Sequence, residues 1–176
     1  MILEASYFFV PAYFSNLTPP LVSKIPFLNK PLDFGKSYKG KRLLGDNKTI
    51  RGIVFAVIVG TLMFLLQKYL YNFPWFANIS LFNYQTQTIW LGFLMAFGAI
   101  FGDAVESFFK RRRGTGSGKP WIPFDQLDYI VGALLFTSFI FFPEWDLLIV
   151  LVIISLILPP ITHYTGYLLG ITKDKI

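Results

Sequence analysis

The sequence of 176 residues has no cysteine, a single histidine and few charges. The missing cysteines exclude disulfides and thiolate metal sites, and they disfavour zinc, which takes cysteine and histidine ligands. Only 15% of the residues are charged and 54% are hydrophobic, whereas ordinary soluble domains carry roughly 25% charged residues. A soluble domain of this size cannot hide so many apolar residues, because about half of a folded soluble surface is already apolar. We therefore predict an all-α integral membrane protein in which residues 1–176 form a single domain.

Several apolar stretches have about the length that a membrane-spanning helix needs, roughly 20 mostly apolar residues. We expect about five transmembrane helices, lying within Ala5–Ser23, at about Arg51–Tyr71, at Ile89–Phe109, from Asp125 onward, and at Trp145–Leu169. Pro11 and the pair Pro19-Pro20 should kink or shorten the first helix. The N-terminus lacks the basic start of a signal peptide, so this helix should be retained. The stretch Asn72–Thr88 is rich in amides and aromatics and is predicted to be an interfacial loop.

Most of the charges are gathered in two segments. The first basic loop (residues 24–51) carries ten of the 26 charged side chains, eight of them basic. The second basic loop (residues 103–128, with the helix ends that border it) carries nine, five of them basic. Since positively charged loops stay on the cytoplasmic side, both loops and the C-terminal cluster Lys173–Lys175 are predicted to be cytoplasmic. The protein would be a multi-pass protein of the cell membrane with its N-terminus outside.

Acidic residues at the end of the third helix require a separate explanation. Asp103, Glu106, Ser107 and Lys110 are spaced so that they share one helix face. A carboxylate within a membrane helix is by default a functional-site hypothesis. Simple neutralisation by Lys110 and the neighbouring arginines is the alternative, and it suits Glu106 better than the deeper Asp103.

Asp125 and Asp128 likewise share a face, at the start of the fourth helix. The helix dipole stabilises acids at an N-terminus by about 0.3–1 kcal/mol, which explains Asp125 better than Asp128. If Asp103 converges with these two at one membrane–water boundary, the carboxylates repel one another unless a cation lies among them. Hard cations such as Mg²⁺ bind carboxylates together with substrate phosphates, so we expect a Mg²⁺ site.

The stretch from Lys110 to Pro120 combines basic residues with three glycines, a composition that suits a polyphosphate. It is not a P-loop, which requires glycine where Arg113 stands and serine or threonine where Pro120 stands. The alternative is headgroup binding to anionic lipid, about 1 kcal/mol per basic residue.

The end of the first basic loop offers a second anion site. Asp46, Asn47 or Thr49 is expected to cap the second helix. A helix N-terminus flanked by Lys48 and Arg51 suits a phosphate. Capping combined with ordinary cytoplasmic charge is the alternative.

Together these stretches resemble a known family. Three motifs are similar to the signature of CTP-dependent phospholipid cytidylyltransferases: Gly102-Asp103-x-x-x-Ser107-Phe108-Phe109-Lys110-Arg111, Gly118-Lys119, and Pro123-x-Asp125-Gln126-x-Asp128-Tyr129. The His-Gly-Gly element of the bacterial and eukaryotic phosphatidate enzymes is missing. With Pro31-x-Asp33-x-Gly35 and the stretch Gly40–Gly52, the chain more closely resembles archaeal CDP-archaeol synthases.

The resemblance implies transfer of CMP from CTP to 2,3-bis-O-(geranylgeranyl)-sn-glycerol 1-phosphate, giving CDP-archaeol and pyrophosphate. The nucleophile is a phosphate oxygen that is already anionic, so no general base is required. The resemblance assigns metal binding to Asp103, Asp125 and Asp128, and catalysis to these three with Lys110. Nucleotide or phosphate binding is assigned to Asp46, Asn47, Lys48, Arg51, Ser107, Arg111 and Lys119.

Other functions stay open at this point. One is a neighbouring lipid enzyme that acts on diacyl phosphatidate or on a lipid alcohol, as a CTP-dependent dolichol kinase does. The others are a non-catalytic lipid-binding protein and a small transporter coupled through Asp103 and Glu106. The expected partners are CTP, an isoprenoid ether-lipid phosphate and membrane lipids, with no nucleic acid. The sequence leaves open the lipid chain selectivity, the number of metal ions and the oligomeric state, a homodimer included.

Overall fold

The computed structural model describes residues 1–116 and 119–168, so the C-terminal cluster Lys173–Lys175 and Gly118 lie outside the described residues. The helices are α1 (Ile2–Phe8), α2 (Val10–Leu21), α3 (Ile50–Leu70), α4 (Pro74–Asn78), α5 (Ile89–Arg112), α6 (Phe124–Thr137) and α7 (Trp145–Leu168). A 3-10 turn covers Tyr84–Thr86. The predicted helical class is confirmed in the main, but the first basic loop adds a small antiparallel hairpin of β1 (Ser37–Tyr38) and β2 (Lys41–Arg42).

Two of the described helices, α3 with 21 residues and α5 with 24, are long and apolar enough to cross a membrane. Helix α3 begins directly after Thr49, whose side-chain oxygen accepts a hydrogen bond from the Gly52 N–H at 3.1 Å. Thr49 is therefore the cap among the three residues predicted. The helix exposes an apolar stripe that includes Val54, Ile58 and Leu62. A helix that is apolar all round suits a lipid environment.

Other helices depart from the predicted lengths. The first apolar run is broken at Phe9, and Pro11 lies in the first turn of α2, where proline is accepted because that N–H has no helical partner. Helix α6 has 14 residues and is thus about 21 Å long, less than the roughly 30 Å of a bilayer core. Helix α7 starts at Trp145 as predicted, and its described apolar part runs to Ile157.

The backbones of α5 and α6 touch at glycines. A Cβ atom on Gly102 would lie 2.1 Å from the carbonyl oxygen of Asp128, and one on Gly132 would lie 2.2 Å from the carbonyl oxygen of Gly98. Small residues at such positions let two membrane helices approach closely. The contact also sets the register of the two helices, so that Asp103 and Asp128 lie at the same level.

Candidate active site

Three acidic side chains converge where α5 and α6 meet. Carboxylate oxygens of Asp103, Glu106 and Asp128, called the acidic triad below, lie within 4.8 Å of one another. Glu106 is buried, and its Oε1 atom has no hydrogen-bond partner among the described residues. Like charges this close are unstable without a nearby cation, and an oxygen-only ligand set suits a hard divalent ion. The triad therefore fits the predicted cation chemistry.

Two lysines lie next to the triad. Lys48 lies with its Nζ 2.5 Å from the Oδ2 of Asp103. Lys110 lies 2.6 Å from the Oδ1 of Asp125 and 3.6 Å from the Oε1 of Glu106. Asp125 also accepts the Trp121 N–H at 2.7 Å. Asp125 was predicted as a metal ligand, but its carboxylate binds Lys110 and a backbone N–H instead. Glu106 occupies the third position of the triad, together with the predicted ligands Asp103 and Asp128.

Backbone hydrogen bonds connect the two ends of the first basic loop, and they position Lys48 beside the triad. The Leu32 N–H donates to the Lys48 carbonyl at 2.7 Å, and the Ile50 N–H donates to the Lys30 carbonyl at 2.9 Å. These bonds hold the entering and leaving strands of the loop together beside α5. The position of Lys48 relative to Asp103 therefore depends on the fold of the loop.

Arg112, in the last turn of α5, joins the two basic loops. Its guanidinium donates to the carbonyls of Tyr38 at 2.7 Å, Lys41 at 3.1 Å and Arg42 at 2.5 Å. In return the Lys41 ammonium donates to the Arg112 carbonyl at 3.0 Å. The hairpin is thus fastened to the helix that carries Glu106.

Buried Asp33 organises the interior of the first basic loop. It accepts hydrogen bonds from the Arg42 guanidinium at 2.7 and 3.3 Å and from the N–H groups of Gly35, Leu44 and Gly45 at 3.0–3.1 Å. Burial alone would raise the pKa of Asp33, but these donors outweigh it and hold the pKa well below its usual range. Since the folded pKa is lowered, Asp33 stabilises the loop at neutral pH, and that contribution is lost only in acid.

Asp33→Asn is expected to loosen the first basic loop. The substitution removes the charge opposite Arg42 and turns an acceptor into an amide that faces donors, and unsatisfied buried groups cost about 1–3 kcal/mol. Trypsin should then cleave at the loop lysines about tenfold faster, as followed by mass spectrometry of the folded protein in detergent. The control is Asp46→Asn, because Asp46 also pairs with Arg42 but is 77% exposed and exposed pairs contribute little. Equal cleavage of the two variants would contradict this role of Asp33.

Two polar cavities meet at the triad. The smaller, of about 230 Å³, is lined mainly by charged and polar side chains: Asn16, Asn47, Lys48, Asp103, Glu106, Ser107, Lys110, Arg111, Asp125 and Asp128, with Leu44. The larger, of about 590 Å³, has Asp46 and Arg51 in its wall. Asn16, Asn47, Lys48 and Asp103 line both cavities. The two cavities therefore adjoin each other beside the triad.

An apolar groove reaches the triad from the other side. It has a volume of about 530 Å³ and runs between α5 and α6. Its walls are Phe101, Val105, Phe109, Trp121, Phe124, Leu127, Val131 and Leu135, with Glu106 and Asp128 among its lining residues. Because these two acids also line the smaller polar cavity, the triad separates an apolar space from a polar one.

Most of the site residues predicted from the sequence come together in these cavities. The exception is Lys119, which lies exposed on the second basic loop and in the wall of none of the cavities described above. Sequence reasoning weighed Glu106 as a neutralised charge or as a transporter coupling residue but not as a metal ligand, and it missed Asn16 and Arg112. Asn16 carries a signal that was available, since it is an amide inside the first apolar run. The contact of Arg112 with the hairpin has no local sequence signal.

Comparisons with known proteins identify the family of the chain. A family model described as CDP-archaeol synthase, CarS-like, matches residues 1–175. The CDP-archaeol synthase of Methanospirillum hungatei is 41% identical, in an alignment that covers 93% of this chain and 98% of that protein. That of Methanocaldococcus jannaschii is 32% identical over 99% of this chain and 96% of its own length.

The fold of the chain also matches a solved structure. It is described as an intramembrane enzyme for archaeal membrane lipids biosynthesis, and it matches the chain with a TM-score of 0.74 at 29% identity. The match covers 92% of this chain and 94% of that one. Sequence and structure thus agree over nearly the whole length, and the chain belongs to the CDP-archaeol synthase family.

Proposed function

We propose that the chain transfers CMP from CTP to 2,3-bis-O-(geranylgeranyl)-sn-glycerol 1-phosphate, giving CDP-archaeol and pyrophosphate. Membership of the CDP-archaeol synthase family supports this reaction. Within the chain itself, the main support for this reaction is that Glu106 and Asp128 line both a polar cavity and an apolar groove. A water-soluble nucleotide and a membrane-held lipid phosphate can meet only at such a boundary.

The chemistry needs positioning and charge neutralisation more than proton transfer. An oxygen of the lipid phosphate attacks the α-phosphorus of CTP, and the bond from that phosphorus to the oxygen of the leaving pyrophosphate breaks. The attacking oxygen is already anionic, so no base has to remove a proton. Lys48, Lys110 and Arg111 line the cavity where the phosphates would lie, and they offset the negative charge that collects there.

The acidic triad would hold a divalent cation, for which Mg²⁺ is our proposal. When bound, such an ion neutralises CTP phosphate oxygens and stabilises the leaving pyrophosphate. The contact of Asp125 with Lys110 at 2.6 Å and with the Trp121 N–H supports a positioning role for this residue. Asp125 keeps the lysine directed toward the cavity and ties the second basic loop to the start of α6.

The site lies at the membrane boundary on the side of the two basic loops. Positive loops favour the cytoplasmic face, where CTP is available, so we place the active site there in a multi-pass, single-domain protein. The apolar groove would receive the isoprenoid chains from within the bilayer, while the lipid phosphate reaches the triad.

Labelled CTP tests the reaction. Purified protein in detergent is given Mg²⁺, the ether-lipid phosphate and CTP labelled in either the α- or the γ-phosphate. Organic extraction should recover lipid-linked label from α-labelled CTP only. Label from γ-labelled CTP in the lipid would indicate a lipid kinase instead. A faster reaction with diacyl phosphatidate would assign a different lipid, and no labelled lipid from folded protein would favour non-catalytic lipid binding.

Filling the apolar groove is expected to weaken lipid use selectively. Val131 is 60% exposed and lines the groove, so Val131→Trp would occupy the space of an isoprenoid chain. Overpacking costs about 1–3 kcal/mol, which predicts a KM for lipid raised about tenfold and an unchanged KM for CTP. The matched control is Ile149→Trp, since Ile149 is 57% exposed on α7 outside the groove. A rise in the KM for CTP alone would argue against a lipid groove.

A further inference from the structure

The first basic loop exposes two phenylalanine side chains to its surroundings. Phe27 is 65% exposed and Phe34 is 67% exposed. Phe34 also has a φ of +49°, a left-handed backbone conformation that is rare and unfavourable for a bulky residue. Neither ring lines any of the three cavities that meet the triad. The two rings therefore form an apolar surface outside the active site.

Backbone contacts hold both phenylalanines at the level where α3 begins. The Arg51 N–H, in the first turn of α3, donates to the carbonyl of Leu28 at 3.0 Å, directly after the first ring. Pro31 forms a β-bridge with Thr49, and the Phe34 N–H donates to the Pro31 carbonyl at 3.1 Å. With 21 residues, α3 is about 32 Å long, close to the roughly 30 Å of a bilayer core. When α3 spans the bilayer, its first turn and the two rings beside it lie at the membrane–water boundary.

The outward charge of the first basic loop is positive. Four exposed lysines near the phenylalanines in sequence form no ion pair with the residues that the structure describes: Lys24, Lys30, Lys36 and Lys39. The two acids of the loop, Asp33 and Asp46, both bind Arg42 instead. Apolar rings flanked by uncompensated lysines are typical of a segment that lies in the interface of an anionic membrane.

We propose that the first basic loop docks onto the anionic headgroups of the membrane that holds the protein. The rings of Phe27 and Phe34 enter the boundary between headgroups and acyl chains, and the four lysines contact the lipid phosphates. Docking holds the loop beside the start of α3, where it presents Lys48 to Asp103. The proposal concerns the lipids of the bilayer and does not depend on the proposed function.

A single fluorescent label tests the docking. The chain contains no cysteine, so Phe34→Cys can carry a nitrobenzoxadiazole dye at that position alone. The full chain is placed in nanodiscs of phosphatidylcholine, with or without phosphatidylglycerol. With phosphatidylglycerol, the emission should shift to the blue and a spin-labelled lipid should quench it, and labelled Phe27→Cys should behave in the same way. Labelled Asp46→Cys is the control, because Asp46 is 77% exposed but lines the larger polar cavity, and it should show neither change.

Removing charge tests the role of the lysines. Lys36→Gln with Lys39→Gln, combined with labelled Phe34→Cys, should lower the ratio of docked to undocked loop about thirtyfold, since each basic residue near an anionic surface favours docking about fivefold. Added salt should weaken docking in the same direction, because it screens exposed charges. Lys119→Gln is the matched control. It removes an exposed charge from the second basic loop and should leave the docked fraction unchanged.

Three outcomes would overturn the proposal. Equal quenching by the spin-labelled lipid at positions 34 and 46 would mean that the phenylalanines do not enter the membrane. Equal emission with and without phosphatidylglycerol would mean that the lysines do not recognise anionic headgroups. A blue shift without quenching by the lipid would mean that another copy of the chain, and not the membrane, covers this surface.

Discussion

Asp128→Asn is expected to lower the turnover of CMP transfer by about a thousandfold. Asp128 belongs to the acidic triad, and losing one anionic ligand removes several kcal/mol of charge stabilisation, at about 1.4 kcal/mol per tenfold in rate. Asp103→Asn should have a similar effect. The substitution preserves side-chain size and relieves repulsion among the three carboxylates, so the fold should persist. The measurement is the initial rate of label transfer from α-labelled CTP, alongside the thermal unfolding midpoint.

A control separates this effect from a general loss of negative charge. Asp146 is an exposed acid in the first turn of α7, outside the three cavities that meet the triad. Asp146→Asn should therefore keep the wild-type rate. Wild-type turnover in Asp128→Asn would remove Asp128 from the catalytic site.

Gly102→Ala is expected to impair both stability and activity. The added Cβ would lie 2.1 Å from the Asp128 carbonyl oxygen, a backbone atom that no side-chain rotation can move away. Helices α5 and α6 must separate, which we expect to cost about 1–3 kcal/mol and to displace Asp128 from Asp103 and Glu106. We expect a lower unfolding midpoint and, at temperatures where the variant is still folded, a rate at least about tenfold below wild type.

The same substitution at Gly116 serves as the control for stability. A Cβ there would meet only the flexible side chain of Lys119, at 3.6 Å, so Gly116→Ala should leave the unfolding midpoint unchanged. If Gly102→Ala matched the wild type in both midpoint and rate, the close contact of α5 and α6 would not be what aligns the triad.

Helix positions were largely predictable because local signals mark them. The start of α3 follows from a capping threonine after a basic loop, and α5 begins at Ile89 and α7 at Trp145 as the apolar runs indicate. The length of α6 was not predictable in this way. The apolar run continues to Pro143, but the helix ends at Thr137, and no residue in that stretch marks the end.

The sequence alone could not predict which side chain each carboxylate contacts. The spacing correctly put Glu106 and Asp103 on one face of α5, and Asp125 and Asp128 on one face of α6. Which acid meets which neighbour depends on the register of the two helices, and that register is set by backbone contact at glycines distant in sequence. Lys110 consequently pairs with Asp125 across the helices, and Glu106 takes the place beside Asp103.

The contacts within and between the two basic loops were also not predictable, because they join residues that are distant in sequence. Asp33 appeared only as part of a motif, yet it binds the backbone of residues up to twelve positions away. Arg112 looked like one more cation of a polybasic run, yet it binds the hairpin some seventy residues earlier in the chain. Charge composition predicts where such residues gather, but only the folded loop shows which of them hold structure and which line the cavity.

Binding of Mn²⁺, measured by electron paramagnetic resonance on purified protein with a non-reactive CTP analogue, tests the acidic triad most directly. The account predicts that the wild type and Asp125→Asn both bind the ion, whereas Asp103→Asn, Glu106→Gln and Asp128→Asn lose most of the bound signal. Loss of binding in Asp125→Asn together with normal binding in Glu106→Gln would contradict the account, and it would return the cation to the ligand set predicted from the sequence.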